Sequence, residues 1–362
     1  MMLKTTPFNA EHKKLGAKMV DFCGWEMPLY YGSQIAEHNY VRQDAGMFDV
    51  SHMTILDVVG SGARDFLRFL FANDVDKLKD VGGALYSCML NPSGGVIDDL
   101  IVYRLNQQDY RVVVNSATHD KDITWFYTQA KNFEVQIIER TDFAMLAVQG
   151  PNAREKIKGA FSAAKINATN ELKVFYGITA EGWWIARTGY TGEDGYEIML
   201  PVQEAEDFWC KLLACGIKPC GLVARDSLRL EAGMSLYGSE MDETQNPLES
   251  NLAWTVAFLP QERNFIGREA LEALKREGLK RKLIGLVLEE KGVLRSHQKA
   301  IVPGIGEGIT TSGGFSPTLG LGIALARVPI NTGEECFVVV RDKELKTKTI
   351  KPPFVRYGKK VF

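Results

Sequence analysis

Gly94-Gly95-Val96-Ile97-Asp98-Asp99-Leu100-Ile101-Val102-Tyr103 sets two adjacent carboxylates in a run that otherwise reads as a buried β-strand. The turn signal Asn91-Pro92-Ser93-Gly94-Gly95 precedes it, and β-branched and aromatic residues dominate it. Neighbouring strand residues point to opposite faces. Strict alternation therefore groups Asp98 with Val96, Leu100 and Val102, and Asp99 with Ile97, Ile101 and Tyr103. No more than one of the two acids then reaches a ligand held on a single face. Both faces are apolar, so at least one carboxylate needs a partner, because an unpaired buried charge is costly or shifts its pKa until it is neutral. The pair would equally suit the exposed end of a strand, capping backbone N–H groups.

Working outward, Ala84 to Leu90 and Asp109 to Asn115 read as strands on either side of this one. A strand after His52 through Val59, strands near 134–139 and 143–149, and helices over 34–44 (capped by Ser33), 62–73 (capped by Ser61) and 119–131 complete the first half. The connections are short and hairpin-like. They favour an α+β fold of antiparallel sheets with packed helices over a doubly wound sheet. Phe22 to Gly32, aromatic and broken by Gly and Pro, reads as an ordered loop, and His52, with no spaced partner, reads as structural.

In Trp183 to Leu200 two strands flank the loop Thr188-Gly189-Tyr190-Thr191-Gly192-Glu193-Asp194-Gly195, whose glycines let backbone approach a flat ligand. Glu197 alternates with Tyr196 and Ile198. It suits either a carboxylate receiving two parallel N–H bonds from an amidine-like edge, such as a pterin's, or an exposed hairpin acid. Helices are expected over Glu204 to Cys215 and over 222–232. In the second, Asp226 and Arg229 form an i,i+3 pair that solvates a helix face, leaving Arg225 freer to meet an anion or carbonyl. Leu252 to Val256 reads as a short strand, and 261–282 as a charged helix and linker. From Leu283 on, short strands with Gly/Pro turns suggest a small β-barrel or sandwich. The expected division is a body of two interleaved subdomains over 1–265, a helical linker over 266–282 and a C-terminal β-barrel over 283–362.

A formal net charge of −2 lacks the basic excess of a general nucleic-acid binder. No run approaches the length of a membrane span. The six cysteines are dispersed without a Cys-x-x-Cys pair and read as free thiols, Cys210 and Cys215 as apolar filler. The N-terminus shows no signal core or amphipathic presequence, which fits a bacterial-type cytoplasmic protein or a mature mitochondrial matrix protein. No metal-ligand spacing and no Gly-x-Ser-x-Gly elbow occurs. What remains are isolated carboxylates in apolar strands, aromatics and a few arginines, which suit a heteroaromatic ligand that does its own chemistry.

Nine blocks in this order resemble the aminomethyltransferase (T-protein) family of the glycine cleavage system: FDVSHM (48–53), Leu85-Tyr86-Ser87, GGVIDDLIVY (94–103), VQGPNA (148–153), TGYTGEDGYEI (188–198), GLVARDSLRLEAGMSLYG (221–238), DETQNPLE (242–249), TSGGFSPTLG (311–320) and KPPFVR (351–356). The resemblance covers essentially the whole chain. It implies a central tetrahydrofolate site, with tetrahydrofolate as co-substrate and no metal. It also implies transfer of the aminomethyl carbon from the lipoyl arm of the carrier H-protein, releasing ammonia and giving 5,10-methylenetetrahydrofolate. Matched position by position, Asp99 is the key carboxylate near folate N10, Glu197 the pterin-side acid and Arg225 the ligand-binding arginine. Met53, Tyr86, Asn115, Tyr190 and Tyr237 line the pocket, and Arg356 meets the folate tail. Partners outside this set, nucleic acid and membrane, are not expected.

Two alternatives share the fold. A non-catalytic folate-binding module, as in iron–sulfur maturation relatives, carries Lys-Gly-Cys-Tyr-x-Gly-Gln-Glu where this chain has Arg187-Thr188-Gly189-Tyr190-Thr191-Gly192-Glu193, without the cysteine. A demethylase of a small onium or amine would keep the folate and change the donor.

Overall fold

The computed structural model describes residues 3–362. The strand that carries the two acids, Val96–Arg104, lies in a five-stranded antiparallel sheet with spatial order Ala84–Leu90, Val96–Arg104, Tyr110–Val114, Thr54–Val59 and Gln136–Glu139. Its pairing with Ala84–Leu90 sets Cys88 opposite Asp99, Met89 opposite Asp98 and Leu90 opposite Val96. Ile97 is the extra residue of a β-bulge, and one extra residue inverts the faces of everything before it. Val96 therefore packs with Cys88 and Leu90, while Ile97 joins Leu100 and Val102 in a different cluster. The strict alternation expected for 96–103 is corrected here: Val96, not Ile97, shares a face with Asp99. The turn before the bulge is held by Val96 N–H donating to Asp242 O and Gln245 O at 2.9 and 3.0 Å. Gly95 has no room for a side chain, since a Cβ would stand 1.8 Å from Glu243 O.

A second sheet of six strands runs Gly177–Ala180, Trp183–Ala186, Gly195–Pro201, Phe143–Gln149, Gly46–Asp49 and Lys218–Pro219. Its last pair is parallel, an exception to the antiparallel expectation. The two sheets share one core: Ile55, Tyr103 and Val113 from the first meet Phe48, Met145, Ala147, Trp184 and Met199 from the second. Asp99 lies on the Tyr103 side of its strand and Glu197 on the Met199 side of its own, so both acids belong to facing surfaces. The outer face of the second sheet, with Leu146, Val148, Ile198 and Leu200, packs under the helix Ala205–Ala214 through Phe208, Trp209 and Leu212.

Three further readings change. The aromatic opening is a β-hairpin, Lys18–Phe22 with Trp25–Tyr30, rather than a loop. Ala253–Thr255 is a 3₁₀ turn, because Thr255 N–H and its hydroxyl both bond Leu252 O, at 2.9 and 2.7 Å. Ser61 spends its hydroxyl on Glu134 at 2.8 Å instead of capping Ala63–Leu70. By contrast Ser33 does cap Gln34–Gln43, accepting from Ala36 N–H. Among the described residues no helix is long and apolar enough to cross a membrane.

After the helix Arg268–Glu277, six strands close into a barrel: Arg281–Leu288, Leu321–Pro329, Gly306–Ser316, Lys299–Val302, Glu335–Val340 and Lys343–Ile350. The helix Leu222–Glu231 joins it to the body. Leu230 packs with Leu283, Val287, Ile323 and Leu325 of the barrel. Beside it the buried Glu231 carboxylate accepts from Arg42 Nε and Nη2 at 3.0 and 2.8 Å, from Thr318 N–H and hydroxyl at 3.1 and 2.8 Å, and faces His38 Nε2 at 3.2 Å.

Burial raises the Glu231 pKa, but the His38 and Arg42 contacts outweigh it and hold the carboxyl down to about 2. A carboxyl depressed on folding contributes stability that is present above the ordinary glutamate pKa and is lost as pH falls toward the folded value. Linkage puts that contribution at about 3 kcal/mol at most. Glu231→Gln is accordingly expected to lower the melting temperature at neutral pH and to flatten its decline below about pH 4.5. Thermal melts over that range check it, and an unaltered acid decline would contradict it.

Candidate active site

On the inner face of the first sheet, the Asp99 carboxylate receives the Tyr86 hydroxyl on Oδ2 at 2.7 Å and the Asn115 side-chain amide on Oδ1 at 3.0 Å. The same amide also reaches Asp98 Oδ1 at 2.8 Å, and the Asn115 backbone N–H holds Asp98 Oδ2 at 3.0 Å. Asp98 is fully buried, whereas Asp99 stays partly accessible. Burial and the neighbouring Asp98 charge push the Asp99 carboxyl up to about 7, against the pull of Tyr86 and Asn115. It therefore changes charge near neutrality.

On the facing sheet, the buried Glu197 accepts the Thr188 hydroxyl on Oε2 at 2.6 Å. Tyr103, on the Asp99 strand, reaches that same Thr188 oxygen at 3.0 Å, so one bridge ties the two acid-bearing strands together. The loop that presents Thr188 is fastened by Gln149, whose amide donates to Thr188 O at 3.0 Å and whose carbonyl accepts from Thr191 at 2.9 Å. A side chain at Gly189 would collide with Gln149 Oε1 at 1.9 Å, which accounts for glycine there.

From the first turn of Leu222–Glu231, Arg225 places its guanidinium 4.8 Å from the Tyr190 ring centre. Its Nη1 is buried and meets no acceptor among the described residues. Burial pulls its pKa down while Glu197 and Tyr190 pull it up; a guanidinium stays charged regardless. The Tyr190 hydroxyl donates to Ser235 O. Arg229 is not a solvated face residue as expected. It is buried, and besides Asp226 at 2.8 Å it binds Glu240 at 3.1 Å and Ser312 at 2.9 Å, anchoring the helix to the barrel.

Of the remaining predicted positions, Tyr237 donates to Val96 O at 3.2 Å and accepts from Lys121 Nζ at 2.7 Å. Met53 packs at the margin of the inter-sheet core with Ile101. Arg356 is exposed on the hairpin of Val355–Arg356 and Lys359–Lys360, beside Tyr357, and shares a small cleft with Thr188 and Gly189. Among the described residues it makes no hydrogen bond to Asp99, Tyr86 or Asn115. A larger cleft of about 860 Å³ is lined by Lys4, Trp25, His52, Met53, Ser116 and Lys121 among others. Among the described residues its lining includes Met53 but not Asp99, Glu197 or Arg225. His52, buried against Phe22, is held down to about 4 by its burial and is neutral at physiological pH.

Three side chains at this site carried no signal in the sequence. Trp254 is 62% exposed and stacks on Tyr86 at 5.5 Å. Lys121 and Asp122 open the helix His119–Ala130, where charged residues ordinarily face water. Cys210 departs from expectation and is exposed, because the apolar stripe of its helix runs through Phe208, Trp209 and Leu212, whereas Cys215, just past the helix end, is half-buried and packs against the core as expected.

Residues 8–259 match the family described as GCVT N-terminal domain, and residues 281–356 match the glycine cleavage T-protein C-terminal barrel domain. The aminomethyltransferases of Legionella pneumophila strains Paris and Corby are each 53% identical over 360 residues, covering 99% of this chain and all of theirs. The crystal structure of glycine cleavage system aminomethyltransferase T from Bartonella henselae superposes with a TM-score of 0.91 at 34% identity, over 98% of this chain and 99% of that one. These matches run the full length and favour a catalyst over the non-catalytic module raised above. With the α+β body and the closed barrel, they establish that the chain belongs to the aminomethyltransferase (T-protein) family of the glycine cleavage system.

Proposed function

We propose that the enzyme transfers the aminomethyl carbon from the lipoyl arm of the carrier H-protein to tetrahydrofolate, giving 5,10-methylenetetrahydrofolate, ammonia and the reduced arm. The observation that carries this reading is that Asp99 and Glu197 belong to facing surfaces of two sheets, with Arg225 Nη1 left without an acceptor among the described residues and its guanidinium beside the Tyr190 ring. Such an arrangement of groups suits a flat ligand with an amidine-like edge and a nearby nucleophilic nitrogen.

Folate supplies that nitrogen, and the arm supplies the leaving thiol. The chain's own residues orient and stabilise. Glu197 keeps Oε1 available for the 2-amino and N3 edge of the pterin, while Thr188 holds Oε2. Arg225 and Tyr190 lie along the ring system, and Met53, Tyr86, Asn115 and Tyr237 line its far end. Arg356 meets the carboxylate tail. Asp99, as the anion, stabilises positive charge developing at the transferred group and relays a proton. Holding both reactants in register accounts for about 7–11 kcal/mol of barrier lowering. In this reading residues 1–265 form the folate-binding body, 266–282 the linker and 283–362 the closing barrel. Bacterial cytoplasm is the proposed location.

The direct assay incubates the enzyme with aminomethylated lipoyl carrier, with and without tetrahydrofolate, and follows ammonia and methylenetetrahydrofolate. Ammonia release that depends on folate and matches methylene product mole for mole is expected. Equal release without folate, or no release at all, would overturn the reading.

A further inference from the structure

Behind Asp99, on the opposite face of its strand, Asp98 is fully buried, and so is Asp122 from the helix His119–Ala130. Asp98 has its oxygens held by the side-chain amide and backbone N–H of Asn115. Asp122 has no such support: neither of its oxygens makes a hydrogen bond of good geometry among the described residues, the Thr118 hydroxyl being a donor beside it. The nearby Thr118 hydroxyl gives its proton to Asn115 O at 3.0 Å. What Asp122 does contact is the Asp98 carboxyl. Two carboxylates touching in a dry place cannot both be ionised, and a carboxyl with no donor of its own satisfies its burial by being the donor.

We infer that Asp122 remains protonated at neutral pH and donates to the Asp98 carboxylate, so that Asp122, Asp98 and Asn115 form a chain that positions Asp99. The inference rests on the reading of Asp99 given above. Its geometry is continuous: Asp122 satisfies Asp98, Asp98 fixes both N–H groups of Asn115, and the Asn115 amide bridges to Asp99 Oδ1 at 3.0 Å and to Asp99 O at 3.2 Å.

Charge follows the same path. Burial and the Asp98 charge push Asp122 up to about 10, which leaves the anion on Asp98 beside Asp99. The other titratable groups near this chain are Tyr86, Cys88 and Tyr190 beside Asp99, with Tyr237 acting on Asp98 and Lys121 on Asp122. Burial raises Tyr86, Cys88, Tyr190 and Tyr237 above their ordinary values, so all four stay neutral. Lys121 is bonded to Tyr237 and Glu243, each at 2.7 Å. Beyond burial, Asp98 is thus the charge that raises Asp99 toward neutrality, and Asp122 is what keeps that charge in place.

Infrared spectra of the whole enzyme test this, read between the titrations of Asp99 and Asp122. A protonated-carboxyl C=O band is expected in the wild type, lost in Asp122→Asn and kept in Asp99→Asn. A wild type without that band overturns the inference with no variant needed, as does a folded Asp122→Asn that retains it. The positioning role is read separately, from the pH profile of kcat/KM. In Asp98→Asn, with folding confirmed by thermal melt, the rising limb is expected to move down by about one pH unit, and an unmoved limb overturns the role. If Asp99→Asn keeps both the band and full turnover, the assignment of Asp99 fails while the Asp122–Asp98 hydrogen bond is supported.

Discussion

Asp99→Asn is expected to slow turnover by about 10²–10³-fold and to leave the Kd for tetrahydrofolate within about threefold, since its Tyr86 and Asn115 partners are not the pterin-edge contacts. The amide is the same size as the carboxyl it replaces: its one oxygen can still accept the Asn115 N–H that now meets Oδ1, and its NH₂, in the place of Oδ2, can donate to the Tyr86 oxygen. What it lacks is the negative charge and the capacity to take a proton. The wild-type carboxyl is pushed up to about 7 by burial and by Asp98. If the anion is the working form, kcat/KM rises as pH climbs through that region, and this rising limb disappears in the variant. Ammonia release under saturating carrier and folate reads the first effect, and ligand titration reads the second. Near-normal turnover in Asp99→Asn, with Asp98→Asn crippled instead, would mean that the working acid is on the other face of the strand.

Glu197→Gln is expected to act on binding rather than on the chemical step, weakening tetrahydrofolate by about 10–100-fold, the range for loss of a charge-assisted pair. Thr188 donates to Oε2 and is tied in turn to Tyr103, so the carboxylate is oriented before any ligand arrives. In the variant one oxygen becomes an NH₂, which cannot accept from a pterin edge that presents two donors. Turnover at saturating folate should remain within a few fold, because Glu197 stands on the sheet facing Asp99 rather than beside it. An unchanged Kd, by titration on the folded variant, would remove Glu197 from the pterin contact.

Much of this arrangement was legible from hydrophobic period and turn chemistry. The strands at 84–90 and 143–149 and the helix after Glu204 follow apolar spacing, and they appear where expected. The barrel follows from the change to short strands after residue 282. The bulge was not legible, since Val96-Ile97-Asp98 reads as smooth alternation. It takes the fit of the Gly94-Gly95 turn against Asp242 and Gln245 to force the extra residue. Arg229 looked like a surface partner of Asp226 because an i,i+3 pair is visible in sequence, whereas Glu240 and the barrel's Ser312 come from other elements. Asp122 carried no signal for a similar reason. An acid in a helix's first turn is ordinarily a solvated one, and only the sheet packed against that turn makes it a buried donor to Asp98. Local rules locate elements well, but they do not see which charges tertiary packing will enclose.

The central claim is that the pteridine sits between Asp99 and Glu197. A crystal structure of the enzyme with tetrahydrofolate tests it most directly. The account predicts the pterin edge on the Glu197 carboxylate, Arg225 and Tyr190 along the ring system, and the Asp99 carboxylate in contact with the N5–N10 end. Folate seated instead in the 860 Å³ cleft beside Lys4, Trp25 and His52, with Asp99 out of its reach, would contradict it.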